Sequence, residues 1–343
     1  MPSTATIAEI AARAGVGTAT VDRVLNKRPG VNADTVQRVL RAVAEIGTPP
    51  QRGRPRRDAN FRFAFVLPAD QTPFLELVDR QIAQSAGDFR HQHVTEVTYR
   101  LGAADGDEFA AGLAQMASCE GVALMAPDVP QVKLAINELV RAGVHVVTLF
   151  SDVPGSLRET AIGADNRAAG RTAGLLLGRA LPRGTPVRCA LTSPATRYAA
   201  EIDRRIGFAQ VLEERFAHTE IVRVIDMPEA EDEAYEYARI ALSPDATNGR
   251  IAAVYNVGPG SFGLSRALAE HGYDGELLFA VHDLLEVHRS MLMSGVVSYV
   301  LHQDVYYSIM AATRVLRALC DGVRGALSVS NPRIEILTAE NLA

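Results

Sequence analysis

Apolar residues recur at helical spacing through the first 47 residues and predict three short helices. Thr6, with a glutamate three residues later, forms a capping box, so we expect the first helix to begin at Ile7 and to end before Gly15. Thr18 is placed to cap a second helix and Asn32 a third. The inward apolar positions are Ile7, Ile10, Ala11 and Ala14, then Val21, Val24 and Leu25, then Val36, Val39, Leu40 and Val43. Two short helices joined by a tight turn that contains glycine are typical of a helix-turn-helix.

From residue 61 onward, short β-rich runs alternate with amphipathic segments of helical length. The runs are FRFAFVLP, VTEVTYRL, GVALMAP, HVVTLF, VRCALTS, EIVRVID, IAAVYNV and ELLFAVHD. This alternation predicts an α/β fold with parallel sheets flanked by helices, and the number of runs is sufficient for two open sheets. We expect an all-α head over 1–50, a linker over 51–60 and a two-lobed α/β domain over 61–343.

Charge separates the head from the rest of the chain. Residues 1–60 carry 10 Lys+Arg against 5 Asp+Glu, and the remainder carries 25 against 35. A basic head on an acidic body suits a head that meets a polyanion. The three cysteines are far apart and predict neither a disulfide framework nor a thiolate zinc site. The sequence shows no run long enough to span a membrane and no export signal, so we expect a cytoplasmic protein.

The segment TIAEIAARAGVGTATVDRVLNKRPGVNADTVQRVLRAVAEIG resembles, without gaps, the head of the lactose-repressor (LacI/GalR) family of bacterial transcription regulators. The resemblance implies that Thr18, Ala19 and Arg23 face base edges in the major groove, where an Arg guanidinium pairs with guanine. It implies phosphate contacts that position the head. Those contacts would come from Thr6, Thr20, Asn26, Asn32 and Thr35. The alternative is a three-helix bundle that contacts another protein.

The linker departs from the family pattern. The usual short hinge helix is not expected in IGTPPQRGRPRRDANFRF, because its prolines and glycine oppose helix formation. The segment from Arg52 to Arg57 instead resembles an AT-hook, which predicts that Arg52 and Arg54 read a narrow minor groove. The alternative is a flexible basic tether that makes non-specific phosphate contacts.

The large domain resembles the type I periplasmic-binding-protein fold that the same family carries behind its head. The resemblance implies two lobes that close on a small polar effector, a sugar, a polyol or a related metabolite, beyond the carboxyl ends of the strands. The candidate effector-binding residues are Asp70, Thr72, Phe74, Asp152, Arg204, Asn256, Asp283 and Gln303. Phe150 and Tyr198 are further candidates for the aromatic surface, because the chain has no Trp.

Two other classes of protein compete with this interpretation. Gly258-Pro259-Gly260-Ser261-Phe262-Gly263 matches G-x-G-x-x-G and has Asp283 twenty residues beyond it, as in an NAD-dependent oxidoreductase. Pro259 weakens that reading because it lacks the N–H that a phosphate-binding turn uses. A periplasmic solute-binding protein would share the large domain but not the head. No histidine spacing predicts a metal site, and no nucleophile and base pair predicts catalysis, so we expect neither cofactor nor enzyme activity.

A palindromic operator needs two heads, so the sequence predicts a homodimer at least, joined through the large domains. Effector closure and operator affinity would then be coupled. The sequence leaves open the identity of the effector, its sign as inducer or corepressor, the operator sequence and the choice between dimer and tetramer.

Overall fold

The computed structural model describes residues 5–25, 30–46, 60–102, 106–182, 187–194, 198–247, 249–273, 275, 277–323 and 329–342. The chain divides into two compact units, 1–57 and 58–343.

The smaller unit contains three helices in its described part, as the sequence predicts. They are α1 (Ile7–Ala14), α2 (Thr18–Leu25) and α3 (Ala33–Ile46). The capping box is present, with the Glu9 amide donating to Thr6 Oγ1 (3.2 Å) and the Thr6 amide donating to Glu9 Oε2 (2.7 Å). Gly15 follows α1 with φ 64°, the left-handed conformation that closes a helix end. The predicted cap at Asn32 is confirmed, because its Oδ1 accepts from the Thr35 amide at 2.8 Å.

Two details of the helical pattern differ from the prediction. Thr18 is the first residue of α2 and does not cap it, because the Thr20 and Val21 amides donate to the Gly17 carbonyl instead. Leu40 is 49% exposed, and Ala42 takes the buried place on α3 beside Val39. The apolar positions of α3 that are buried therefore differ from those that the sequence pattern predicts.

The first lobe of the larger unit is a five-stranded parallel sheet with helices on both faces. Its strand order is β2-β1-β3-β4-β5. The strands are β1 (Phe61–Pro68), β2 (Val94–Leu101), β3 (Gly121–Leu124), β4 (His145–Leu149) and β5 (Thr160–Ile162). The helices are α4 (Pro73–Ser85), α5 (Gly106–Ala114), α6 (Pro130–Arg141) and, from the far end of the chain, α12 (Val305–Cys320). Seven of the eight β1 residues are buried, as expected for a strand covered on both faces.

The second lobe is a six-stranded sheet in the order β11-β10-β9-β8-β6-β7. Its strands are β6 (Val187–Ser193), β7 (Thr219–Asp226), β8 (Ala253–Asn256), β9 (Leu278–His282), β10 (Tyr299–Gln303) and β11 (Ile334–Leu337). Its helices are α7 (Asn166–Ala180), α8 (Ala199–Arg215), α9 (Glu231–Ala241), α10 (Ser261–Glu270) and α11 (Glu286–Met293). Among the described strand pairs of this sheet, β10–β11 is antiparallel and the others are parallel.

The chain crosses between the lobes after β5, after β10 and after α12. Every β-rich run predicted from the sequence forms a strand, while β5, β10 and β11 were not among those runs. Because the parallel strands of each sheet end at one edge, the segments that follow them meet at the cleft between the lobes.

Candidate functional site

A cleft between the two lobes of the larger unit lies beyond the carboxyl ends of strands from both sheets. Its empty volume is about 950 Å³, which includes the open mouth. The first lobe contributes the segments after β1, β3 and β4, and the second contributes the segments after β6, β7, β8 and β9 together with the last residue of β10. Six of the eight predicted effector residues line it: Asp70, Thr72, Phe74, Arg204, Asp283 and Gln303.

Asp283 and Gln303 form a buried pair on the second-lobe side. Their exposed fractions are 6% and 2%, and Gln303 Nε2 donates to Asp283 Oδ1 at 3.1 Å. Asp283 has φ 64°, a conformation that is costly for a residue with a side chain, and its amide donates to the Leu301 carbonyl at 2.9 Å. Gln303 Oε1 is buried and accepts no hydrogen bond. A buried acceptor without a donor is rare and marks a place where a ligand can complete the hydrogen bonding.

Arg204, on α8, is held almost out of solvent at 8% exposure. Its Nε donates to Asn166 Oδ1 at 2.7 Å and its Nη1 to the Val257 carbonyl at 3.0 Å. Helices α7 and α8 approach closely enough for this because glycines face each other's backbones. A Cβ on Gly170 would lie 2.0 Å from the Arg204 carbonyl oxygen, and one on Gly207 would lie 2.2 Å from that of Arg167. The guanidinium is therefore fixed in direction before any ligand arrives.

An aromatic wall closes the first-lobe side. The rings of Phe74 and Phe150 meet edge to face, with centroids 5.3 Å apart and planes at 86°. Phe150 has φ 60°, and two hydrogen bonds hold its backbone. Its amide donates to the Ile162 carbonyl at 2.9 Å, and its carbonyl accepts from Asn166 Nδ2 at 3.1 Å. Thr72 caps α4 by accepting from the Leu75 amide at 3.3 Å, which positions Phe74 in the first turn of that helix.

Glu201 is a lining residue that the sequence analysis missed. It lies one helical turn before Arg204, and its Oε2 is shielded from solvent without a hydrogen-bond partner. Burial raises the pKa of Glu201 to about 8, against the opposing charges of Arg204 and Arg205 and with a contribution from Glu229. The i, i+3 spacing of a glutamate and an arginine on the helix after β6 was the available signal.

Two histidines also line the second-lobe wall. Burial, followed by the charge of Arg204, lowers the pKa of His282 well below its usual value, and burial lowers that of His288. The hydroxyl of Tyr255 is 2.5 Å from His282 Nε2, and His288 Nδ1 is 2.8 Å from the Asp283 carbonyl oxygen. Both histidines are therefore neutral near pH 7 and add no positive charge to the cleft.

Asn256, expected in the site, does not line the cleft. Its side chain is fully buried, with Oδ1 accepting from Thr192 Oγ1 at 2.8 Å and from the Gly258 amide at 3.3 Å. Its Nδ2 donates to the carbonyls of Gly258 and Pro259 and to Ser261 Oγ, at 2.8 to 3.1 Å. In this structure the Asn256 side chain holds the loop that forms the cleft floor, and its contact with an effector stays a prediction.

Asp152 is also outside the cleft lining. Its two carboxylate oxygens accept from the Nε and Nη2 of Arg158, and Oδ1 accepts from Thr148 Oγ1 at 2.9 Å. Burial raises the pKa of Asp152, but the hydrogen bonds from Arg158 and Thr148 outweigh it and lower the pKa overall. A nearby arginine that the sequence pattern does not reveal holds this carboxylate within the protein.

The glycine-rich loop before α10 has a packing explanation. A Cβ on Gly263 would lie 2.1 Å from the Glu231 carbonyl oxygen, and Gly260 has φ 79°. The Gly263 amide, which a phosphate at this helix start would use, donates to Glu231 Oε2 at 2.7 Å. The Glu231 carboxylate therefore already accepts from the amide that a bound dinucleotide phosphate would need.

The described part of the head presents the predicted base-reading residues on one exposed surface. Thr18, Ala19 and Arg23 are exposed, while Val21 and Val24 on the opposite face of α2 are buried. Thr20 is partly buried.

The predicted phosphate contacts from Thr6, Asn32 and Thr35 belong to residues whose side chains have local roles. Thr6 Oγ1 donates to Glu9 Oε2 at 2.9 Å, Asn32 caps α3, and Thr35 Oγ1 accepts from Arg38 Nη2 at 3.3 Å. Asn26, Arg52 and Arg54 lie outside the described residues.

Within the described ranges, no group of three or more His, Cys, Asp and Glu side chains is arranged to hold a metal ion. No helix in the same part of the chain is long and apolar enough to cross a bilayer.

Comparison with known proteins identifies both parts of the chain. Residues 63–323 match the family profile of the periplasmic binding protein domain, and residues 6–51 match that of bacterial regulatory proteins of the lacI family. A helix-turn-helix head in front of a two-lobed binding domain defines a DNA-binding regulatory protein with a periplasmic-binding-protein-like domain. The chain belongs to the lacI family of bacterial regulators. No curated protein matches it at a significant level.

Solved structures share the fold of the larger unit. The glucose-galactose binding protein GanP of Geobacillus stearothermophilus superposes with a TM-score of 0.72 at 19% identity, covering 83% of this chain and 99% of its own. A solute-binding protein of Burkholderia graminis in complex with D-arabinose gives 0.74 at 20% identity, covering 83% and 97%. One of Actinobacillus succinogenes with bound D-allose gives 0.70 at 12% identity, covering 82% and 98%. At these identities the similarity shows a common fold.

Proposed function

We propose that this protein is a transcription repressor whose operator affinity is set by a small polyhydroxylated effector bound in the cleft. The observation that carries the proposal is that buried polar residues from separate strand ends meet in one cleft, with the Gln303 Oε1 acceptor left without a donor. Hydroxyl groups of a sugar or polyol supply donors for such acceptors. The fold shared with proteins whose structures contain arabinose or allose supports the same class of ligand.

The cleft residues would make different kinds of contact with the effector, according to their chemistry. Asp283 and Gln303 would accept from paired hydroxyls, and Arg204 would donate to a ring or hydroxyl oxygen. Phe74 would cover the C–H face of the ligand, because an aromatic ring buries apolar sugar surface. Both lobes contribute contacts, so the effector would favour a closed arrangement of the larger unit over an open one.

The head would read the operator through the exposed face of α2. Arg23 stands among small residues, Thr18 and Ala19, that allow close approach to base edges, and its guanidinium can pair with guanine O6 and N7. A homodimer joined through the larger units would place two such heads on a palindrome. Arg52 and Arg54 would add contacts in the minor groove between half-sites.

Selection of genomic fragments by the purified full chain, followed by fluorescence anisotropy on the recovered site, tests DNA reading. Arg23→Ala should lower the preference for the selected site over random duplex by about 1–3 kcal/mol. Arg41→Ala is the matched control, because it removes one exposed positive charge from α3 and should weaken both duplexes equally. Equal loss of preference in the two variants, or no preference in the wild type, would contradict the proposal.

A screen of sugars and polyols against the bound operator tests the regulatory half. Release of operator on adding one of them supports a repressor with an inducer, whereas tightening of the complex identifies a corepressor. If no sugar or polyol that binds in the cleft changes operator affinity, the proposed control by an effector is contradicted.

A further inference from the structure

The described residues lining the cleft carry an excess of negative charge. Among the described lining residues, the carboxyl groups of Asp70, Glu231 and Asp283 outnumber the guanidinium of Arg204. Glu201 also lines the cleft but is counted apart from them, because its raised pKa leaves it largely protonated near pH 7 when the cleft is empty. The lining histidines are neutral, as shown above. Two N–H groups of Arg204 already donate to protein oxygens, which leaves less of its donor capacity for a ligand.

Two shielded side-chain oxygens of described lining residues lack a hydrogen-bond partner. Gln303 is 2% exposed and its Oε1 has no donor. Glu201 Oε2 is shielded from solvent and has no partner either. The Oε1 of the same carboxyl group is near the floor loop, 3.6 Å from where a Cβ on Gly258 would stand. Both residues line the site, so a ligand donor can supply the hydrogen bond that each of them lacks.

A neutral polyol satisfies these acceptors but leaves the charge excess unbalanced. A protonated amine supplies up to three N–H donors and a positive charge in the same group. Burying an ionised carboxylate is costly unless an opposite charge pairs with it, so a carboxyl group as shielded as Glu201 ionises on binding only where the ligand supplies that charge. The charges of Arg204 and Arg205 favour the ionised form of Glu201, whereas the charge of Glu229 opposes it.

We propose that the effector carries a protonated amine on a hydroxylated carbon skeleton, as in an amino sugar or an amino polyol, with the ammonium group bound at Glu201. This inference rests on the proposed function, since it specifies the class of effector for the same cleft. The hydroxyls serve Asp283 and Gln303, and the amine distinguishes this effector from the neutral sugars.

Matched ligands test the inference by isothermal titration calorimetry on the full chain. Each set compares an amine, its hydroxyl counterpart and its N-acetyl derivative. The sets are glucosamine, glucose and N-acetylglucosamine, then the galactose and mannose equivalents, then 1-amino-1-deoxysorbitol, sorbitol and the N-acetyl derivative of that amine. In at least one set the amine should bind at least tenfold more tightly than both neutral members. A hydroxyl member that binds as tightly as its amine in every set that binds would overturn the inference and leave a sugar effector standing. Binding by no member of any set would overturn both.

Variants locate the amine. Glu201→Gln should weaken binding of the amine at least tenfold more than it weakens binding of the hydroxyl member. Glu213→Gln is the control, because Glu213 is exposed and lies on the same helix twelve residues further along. Equal losses of amine affinity in both variants, or none in Glu201→Gln, would contradict the assignment.

A measurement on the wild type keeps the test independent of whether the variant folds. Near pH 7 the empty cleft holds Glu201 largely protonated, so an amino polyol that binds there as a cation should release up to one proton. Titrations in two buffers of different ionisation enthalpy report that number. Release of a proton with 1-amino-1-deoxysorbitol and none with sorbitol supports the inference, and no release with a bound amine contradicts it.

Discussion

Two buried side-chain amides near the cleft, Asn256 and Gln303, should give opposite results when each is replaced by an apolar residue. Asn256 is fully buried, and every hydrogen bond it makes in the structure is to the protein. Gln303 donates one bond to Asp283 and keeps an orphaned oxygen at the cleft wall. Asn256→Ala should therefore lower stability, and Gln303→Leu should lower effector affinity.

The size of the Asn256 effect follows from the groups left behind. The Thr192 and Ser261 hydroxyls can rotate toward other partners, but the Gly258 amide and the Gly258 and Pro259 carbonyls are fixed by the loop. A buried polar group that loses its partner costs about 1–3 kcal/mol. Allowing one or two such groups to remain unpaired, we expect Asn256→Ala to lower the free energy of unfolding by about 3 kcal/mol, or the melting temperature by roughly 6 °C.

The free energy of unfolding of Gln303→Leu should stay within about 1 kcal/mol of the wild-type value. The reason is that removal of the unpartnered Oε1 offsets loss of the hydrogen bond to Asp283. Its affinity for the effector identified by screening should fall at least tenfold. Urea unfolding of both variants followed by tyrosine fluorescence, with calorimetry for the effector, makes the comparison. Asn256→Ala with wild-type stability, or Gln303→Leu with wild-type affinity, would refute the reasoning.

Two further predictions concern carboxylates. The pKa of Glu201 is about 8 in the folded chain against an ordinary 4.5, so the folded state holds an extra proton between those values and loses stability as pH rises through that window. Glu201→Gln should lack this loss. Urea unfolding at pH 5, 6.5 and 8 should therefore show the free energy of unfolding of the variant rising relative to that of the wild type as pH increases. A difference in unfolding free energy that does not change with pH would be inconsistent with a buried acid at this position. Asp152→Asn should lower stability, because it weakens the ion pair with Arg158. It should change effector affinity by no more than about twofold. A tenfold loss of affinity measured by calorimetry would instead indicate that Asp152 contacts the effector.

The sequence predicted most of the fold because its signals are local. The capping box at Thr6 and the buried runs from FRFAFVLP onward act within a few residues, and these elements form as expected. Strand β5 has three residues and β11 four, which is too short for a periodic pattern, and β11 depends on its antiparallel pairing with β10. The cap at Thr18 was misplaced because a glycine carbonyl receives the first helical amides there.

Residue roles in the cleft were harder to predict because they depend on contacts across the fold. Asn256 and Asp152 stand near strand ends, as ligand contacts do in this fold, but Thr192 and Arg158 engage them within the protein. Glu201 was not among the predicted residues, because the packing of α8 brings it into the cleft lining. Position at a strand end indicated the neighbourhood of the site, and tertiary hydrogen bonding decided which side chains face it.

The coupling between cleft and head is the central claim, and one thermodynamic cycle measures it. Operator affinity is determined with and without saturating effector, and effector affinity with and without operator, on the same full chain. The account predicts that the two ratios are equal and differ from one by about fivefold or more, since coupling free energies are typically 1–3 kcal/mol. Ratios of one in both directions, with tight effector binding and specific operator binding each present, would contradict it.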